Sequence, residues 1–401
     1  MLLQFKFKNH KCFYDEAILD LTATQEKGHN DTLIDINRNE ILPIIEINGA
    51  NASGKSSVLE ALYFMITTIK MSSKFDISKD LITNPFAFDN TSKNKNSEYE
   101  ISILIDGYEY RYGFSMNKKE FEEEWLYKKK FDNVKKYAQK IIFERNKNKV
   151  EFGSSYTKYK KTWELFVSNI ELKKSLILSI VSIKEPDGIL RDIYEYINNI
   201  NFKIENIFKQ QISIQILNQN SSLYNKFQNI IREFDPCLYG IKVEKSSEDP
   251  EDKSYKLSGI HKNVDDNSKN FLIPLENESA GTIKMFNILP EVLKNLEQGG
   301  LLCIDELDTK LHPLLFKRIV DLYKDRETNK NNAQLIYTAH STFLFDSDEL
   351  RRDELYLVEK DLSGRSNLYS LSEFRNLRSD ADYRKKYLTG QLGAIPYNNK
   401  R

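Results

Sequence analysis

With 401 residues, 40% of them hydrophobic and 12% aromatic, the chain has a folded protein's composition and length enough for one large core with an insertion, or for two domains. Its 59 basic and 59 acidic residues cancel, so net charge points to no partner, and Cys12, Cys237 and Cys303 are too few and too scattered for a disulfide framework or a zinc site. That cysteine usage predicts a cytoplasmic setting, and the lack of any run of 18 apolar residues or of a signal-like core in Met1 to Lys8 predicts a protein that neither spans a membrane nor is secreted.

In chain order, Leu3 to Phe7 and roughly Phe13 to Leu21 read as strands, and the apolar run Ile41 to Ile47 reads as a third that enters Asn48-Gly49. A helix follows from Lys55 to about Lys70. Tyr99, Ile101, Ile103 and Ile105 alternate up to Asp106-Gly107, and Tyr108 to Phe114 alternates again, which predicts a hairpin. From about 120 to 270 the sequence turns rich in Lys, Asn, Tyr and Ile. It carries a basic hairpin pattern around Arg145 to Lys149 and helical patterns near Trp163 to Ser182 and Leu190 to Leu217. This stretch, 120–270, reads as a lid and helical insertion between 1–119 and 271–401. From Leu272 strands and helices alternate: Gly281 to Leu296 helical, Leu301 to Ile304 a short buried strand, His312 to Tyr323 helical, Leu335 to Thr338 another buried strand. The expectation is an α/β fold with a mainly parallel sheet plus an antiparallel β element. Gly390 to Arg401 reads as a frayed or docking tail.

Between the strand ending at Asn48 and the helix starting at Lys55 lies Gly49-Ala50-Asn51-Ala52-Ser53-Gly54-Lys55-Ser56, a G-x-x-x-x-G-K-S loop in the context that motif requires. Glycines at these positions let backbone N–H groups curl around phosphate oxygens while the helix start presents its positive dipole end. Lys55 then reaches the outer phosphates and Ser56 ligates magnesium. Leu301 to Ile304 delivers Asp305 and Glu306 at a strand's carboxyl end, where α/β sheets bind ligands. Asp305 is expected to hold the metal and Glu306 to orient and deprotonate an attacking water. An apolar run followed by acids is commonplace by itself; the loop makes it specific. Asp308 follows closely, and 34 residues past Glu306 another buried strand ends in His340, placed to contact the γ-phosphate. Glu278-Ser279-Ala280-Gly281-Thr282 opens a helix with Ser279 26 residues before Asp305, a second anion-binding helix start.

Walker A, an S-A-G-T signature, Walker B with an acidic D-loop and a switch histidine, in this order, resemble the ABC and SMC-type P-loop ATPases. Walker A and Walker B lie about 250 residues apart, which is similar to the SMC/RecF branch carrying an insertion. Phe5-Lys-Phe-Lys-Asn-His, Glu123-Glu-Trp-Leu-Tyr, Leu311-His-Pro and Tyr387-Leu-Thr-Gly-Gln-Leu-Gly-Ala-Ile-Pro further resemble the RloA-like, abortive-infection AAA-family ATPases of bacterial phage defence. The resemblance implies an ATP- and Mg2+-dependent ATPase with nucleotide contacts from Asn48, Gly49, Ala50, Asn51, Ala52, Ser53, Gly54, Lys55, Ser56 and Ser57, and from Asp308. It also implies a homodimer or higher oligomer in which Ser279 and Gly281 cap the partner's nucleotide. The implied output is regulation of a separately encoded effector, a nuclease or toxin. A RecF-like DNA-maintenance ATPase and a nucleotide-gated scaffold with little hydrolysis are the alternatives. The signature lacks a second glycine, and no glutamine occurs between Gln25 and Gln139, which leaves the lid contact to Asn84 or Asn90 and implies slow hydrolysis.

Two further features admit both a functional and a plain structural explanation. Lys128 to Lys161 holds twelve Lys or Arg against three acids, interleaved with Tyr137, Tyr156 and Tyr159, a mixture that nucleic-acid surfaces use but that solvated hairpins share. Asp380-Ala381-Asp382 has the spacing of a metal pair, yet no apolar strand precedes it, and a helix start explains it better.

Overall fold

The computed structural model describes residues 1–26, 28–36, 39–132, 135, 137–154, 156, 158–185, 187–204, 221–245, 255–263, 265, 269–378 and 381–396. Strand β1 (Leu2–Lys8) buries Leu3, Phe5 and Phe7 and pairs antiparallel with β2 (Ala17–Asp20). The strand expected from Phe13 is shorter, because His10 and Phe13 exchange backbone hydrogen bonds at 2.8 Å and close a turn instead. The run expected as one strand from Ile41 to Ile47 is likewise divided. Its start belongs to β4 (Asn39–Ile41), which pairs with β3 (Ile34–Ile36), and its end to β5 (Ile44–Gly49). Pro43 stands at the break, where it has no N–H to offer a ladder and its carbonyl accepts from Leu335 at 2.9 Å.

Helix α1 (Lys55–Met71) leads to the hairpin of β6 (Ser97–Ile105) and β7 (Tyr108–Met116), turned by Asp106 and Gly107 at φ 47° and 76°, the left-handed pair of a type I′ two-residue turn. β8 (Phe121–Lys130), β9 (Lys140–Asn146) and β10 (Lys149–Phe152) extend it into a seven-stranded antiparallel sheet of order β10-β9-β8-β7-β6-β1-β2. The helical stretch expected from Trp163 to Ser182 is two helices, α2 (Lys160–Val167) and α3 (Ile177–Lys184). A buried ion pair separates them: Arg145 takes the carbonyls of Leu172 and Ser175, while Glu124 accepts the N–H groups of Ile177 and Leu178 that open α3.

After α4 (Ile189–Asn198) the expected continuous helix gives way to β11 (Asn201–Lys203), and the remainder of that expectation, 205–217, lies outside the described residues. Next come α5 (Ser221–Phe234) and a three-stranded sheet of β12 (Leu238–Lys245), β13 (Tyr255–Lys262) and β14 (Asn270–Pro274). The chain ends with α6 (Ala280–Gln298), β15 (Leu301–Ile304), α7 (Pro313–Lys324), β16 (Gln334–Thr338), β17 (Leu355–Lys360), β18 (Ser366–Ser370) and α8 (Tyr383–Leu388).

The central sheet has the order β11-β15-β16-β5-β17-β18, parallel except for the last strand. Both its faces are covered, so its strands β5, β15 and β16 are buried along their whole length. Alternation sorts them: Ile45, Ile47, Cys303 and Ile336 join the core shared with α1 and the antiparallel sheet, whereas Ile44, Leu302, Leu335 and Tyr337 join the core under α6 and α7. Strands β8, β9 and β10 thus continue the N-terminal sheet, and β11 forms an edge of the central one.

Candidate functional site

β5 ends in a turn that only small residues permit. Gly49 has φ 146°, and a Cβ there would stand 2.3 Å from the Val358 carbonyl of β17. Gly54, at φ 115°, is packed against Cys12, whose sulfur would lie 2.6 Å from an added Cβ. α1 then starts at Lys55 behind Gly54, so the amides of its first turn, which have no intrahelical acceptor, receive no N-cap side chain either. Ser53 Oγ is buried with no hydrogen-bond partner among the described residues. Lys55 is 6% exposed and folds back over the loop, its Nζ donating to the carbonyls of Gly49 at 2.9 Å and Ala50 at 3.2 Å. Burial pulls its pKa below the ordinary lysine value, against the opposing pull of Glu306, Asp308 and Asp305.

The carboxylates arrive from β15, and one hydroxyl orders them. Thr338 Oγ1 donates to Asp305 Oδ1 at 2.6 Å and accepts the Glu306 N–H at 2.7 Å. Glu306 sits at φ 48°, a conformation costly for a residue with a Cβ and held here by the Lys284 ammonium on its carbonyl at 2.9 Å. Its Oε1 stands 3.3 Å from His340 Nε2, with both side chains about one third exposed. Asp308 turns its Oδ2 to the backbone N–H groups of His340 at 3.0 Å and Ser341 at 2.7 Å. Asn48 ties the same segment to the loop: its Nδ2 donates to Ser341 O at 2.9 Å and its Oδ1 accepts the Gly49 N–H at 2.7 Å.

These pieces surround one cavity of about 760 Å³, lined by Asn51, Ala52, Ser53, Gly54, Lys55, Ser56 and Ser57 together with Glu306 and His340. Asn48, Gly49 and Ala50 support the loop from behind and are not among its lining residues. Asp305 lines a smaller neighbouring cavity with Lys203 and Lys284. Ser279 and Gly281 are not brought to the loop of their own chain; they border a separate cavity of about 520 Å³ with His312 and Leu314. Ser279 caps α6, its Oγ accepting the Thr282 N–H at 3.1 Å. Of the two lid guesses, Asn84 lines the main cavity and Asn90 does not.

Sequence reasoning missed Lys11, Cys12, Pro85, Ala87, Phe88 and Lys360, which complete the lining. Lys11 arrives because Asn9 and Lys11, at φ 54° and 49°, turn the chain so that the Lys11 N–H meets Asn84 O at 2.6 Å. The turn is locally readable from Asn9-His10, but nothing in spacing pairs it with Gly54. Lys360 ends the strand next to β5, a neighbour relation that only the strand order supplies.

Within the basic stretch, many charges are answered. Lys129 pairs with Glu109 at 2.8 Å, Lys147 with Glu122 at 3.5 Å, Lys149 with Glu151 at 2.6 Å and Lys158 with Asp187 at 2.5 Å. Lys128 lies 3.8 Å from the Tyr108 ring centroid and Lys130 5.2 Å from that of Tyr137, so aromatic faces there are covered by the chain's own cations. Asp382 caps α8 through the Lys385 N–H at 2.7 Å; Asp380 lies outside the described residues.

The sequence model of the family described as "AAA domain, putative AbiEii toxin, Type IV TA system" matches residues 47–346. No curated protein matches the chain. Among solved structures it is similar to an SMC head bound to the C-winged helix domain of ScpA, at 15% identity and TM-score 0.48, over 92% of this chain and 97% of that one. It is also similar to the SMC head domain from Thermotoga maritima, at 13% identity and TM-score 0.43, over 92% and 98%. Among the described residues, no helix is long and apolar enough to cross a membrane.

Proposed function

Because the chain belongs to this family of AAA domains, we propose that it binds ATP with Mg2+ in the cavity around Lys55 and hydrolyses it, as an ABC/SMC-type ATPase. The observation that carries the reading is the convergence of Lys55, Glu306 and His340, from three neighbouring strands, on one cavity floored by the glycine loop. Its volume lies within the range of small-molecule sites. Uncapped amides, an unpartnered buried Ser53 hydroxyl and a cation held among carbonyls suit a polyanion. Ser56 lines the cavity and would supply one oxygen ligand to a hard cation, and Asp305, on the adjoining cavity with its Oδ1 bonded by Thr338, would supply the other. Bound there, Mg2+ would neutralise charge on the phosphate oxygens.

The chain's own groups supply the rest. Lys55 exchanges the Gly49 and Ala50 carbonyls for phosphate oxygens. Glu306 accepts the proton of a water whose oxygen attacks the γ-phosphorus, as the bond to the β-phosphate oxygen breaks and ADP leaves with phosphate. His340, beside Glu306, orients that water and contacts the γ-phosphate. Phe88, 67% exposed on the cavity's lining, offers the base an aromatic face.

The Ser279 turn lies away from its own chain's loop, which supports a two-fold homodimer in which each turn closes the other subunit's site. In this reading 1–119 and 271–401 build the head together with β8–β10 and β11, which join its sheets, and the remainder of 120–270 is its lid and insertion. The family's description names a putative toxin and a toxin–antitoxin system, which favours control of a toxin over DNA maintenance; that control would act in the cytoplasm, over a separately encoded toxin or nuclease of antiphage defence. The ion pairing across the basic stretch also weighs against DNA as its main ligand. The test is titration of the purified chain with ATP, with and without Mg2+, alongside phosphate release. Saturable Mg2+-dependent binding with turnover supports the ATPase, binding without turnover points to the scaffold, and no binding overturns the reading.

A further inference from the structure

The stretch from Tyr387 to Pro396 takes no part in this chemistry, yet it meets the phosphate loop at Ala394. After α8 the chain passes Gly390 at φ 77° and Gly393 at φ 72°, then Ala394 at φ 55°, a strained conformation for alanine that its surroundings must impose. There the Ala394 carbonyl accepts the N–H of Ala50 at 2.8 Å. The buried hydroxyl of Tyr387 donates to the same carbonyl at 3.1 Å, and Tyr369 holds the Leu392 carbonyl at 2.9 Å. Leu392 and Ala394 are 3% and 1% exposed, so this segment is packed rather than frayed. Ala50 is also one of the two residues whose carbonyl holds Lys55.

The same tyrosine meets the other phosphate-facing segment. Its ring packs edge-on against Phe345, centroids 5.3 Å apart, and the Arg384 N–H donates to Phe345 O at 3.0 Å. Phe345 is bonded back to Thr342, two residues beyond His340. One side chain therefore touches the segment leaving β16 and, through Ala394, the loop leaving β5.

We propose that Tyr387 is a positioning residue for the phosphate loop, acting through the Ala394 carbonyl on Ala50 and so on the place from which Lys55 works. This rests on the reading that the loop holds ATP. Because coupling between two events is reciprocal, ATP that orders the loop also tightens the docking of residues 383–396.

Tyr387→Phe removes the hydroxyl and keeps the ring on Phe345. The expected result is ATP affinity weakened about three- to tenfold, the scale of one hydrogen bond, with thermal stability shifted little. In the wild type, amide exchange across 383–396 should slow on addition of Mg2+-ATP. If wild type binds ATP but Tyr387→Phe binds it equally well, or loses stability with affinity unchanged, the positioning role is wrong. An exchange rate in 383–396 indifferent to ATP overturns it independently, even should the variant fold poorly. Absence of ATP binding by the wild type is a different failure, that of the underlying reading.

Discussion

Glu306 Oε1 and His340 Nε2 stand 3.3 Å apart at the ends of adjacent parallel strands, and each is set by Asp308 or Thr338 rather than by its partner. The pair is open to the cavity, so either side chain can turn toward a ligand while its backbone stays fixed. Glu306→Gln keeps shape and hydrogen bonding but cannot take a proton. Phosphate release is expected to fall by at least about a hundredfold while ATP affinity is kept, and an ATP-bound dimer should accumulate in light scattering. Lys55→Ala should instead abolish binding. Unchanged turnover in Glu306→Gln would remove this carboxylate from the mechanism.

Glu124 tests the neighbouring sheet. It is fully buried, with its Oε2 3.5 Å from Arg145 Nη1, and it also accepts from Tyr112 and from the Ile177 and Leu178 N–H groups. Glu124→Ala leaves a buried guanidinium without its carboxylate and α3 without its anchor. A loss of about 3–5 kcal/mol in denaturant unfolding is expected. A loss below about 1 kcal/mol would mean that the carbonyls around Arg145 suffice to hold it.

How much of the molecule is legible in its sequence depends on the range of the information. The Gly49 to Ser56 loop is a local motif between a strand and a helix, so eight consecutive residues announce it. That Glu306 and His340 meet Lys55 depends on β16 lying between β15 and β5, an order no local pattern carries. Pro43 is a readable strand breaker, outweighed by the apolar run around it. Asn201–Lys203 is not readable, because three residues cannot establish a period and their pairing with β15 is long-range. Several motif residues are structural: Asn9 bonds the carbonyls of Ser92 and Lys95, and His312 caps α7 through the Leu314 N–H at 3.3 Å.

Glu46 lies buried under the loop, bonded by Tyr337 at 2.8 Å and Asn48 at 3.3 Å, and burial pushes its carboxyl from 4.5 up to about 8. A carboxyl whose pKa rises on folding stabilises the fold while protonated. Its contribution is fully present below about 4.5 and is lost as pH rises toward and through about 8. His10, pushed down to about 3, and the N-terminal amine, down to about 5, act with the opposite sign, so the observable is a difference between two proteins. Glu46→Gln should match wild type near pH 4 and exceed it by pH 8, by an amount on the order of a few kcal/mol at most. Parallel stability curves would show that Glu46 is not the titrating group.

The motif order implies that Asp308 touches nucleotide, but its Oδ2 is engaged by the His340 and Ser341 N–H groups, at 3.0 and 2.7 Å, and it is not among the cavity's lining residues. Two roles then differ in their kinetics. If Asp308 acts by holding the His340 segment, Asp308→Ala loses two charge-assisted hydrogen bonds and turnover falls about ten- to a hundredfold, with KM nearly constant. Asp308→Asn, whose amide oxygen still accepts both N–H groups, should recover most of the rate. If instead the carboxylate contacts nucleotide from a partner subunit, both variants should raise KM, and Asn should rescue little. Steady-state ATPase kinetics on the two variants separates the cases, because only the first makes the side chain's acceptor, rather than its charge, the thing that matters.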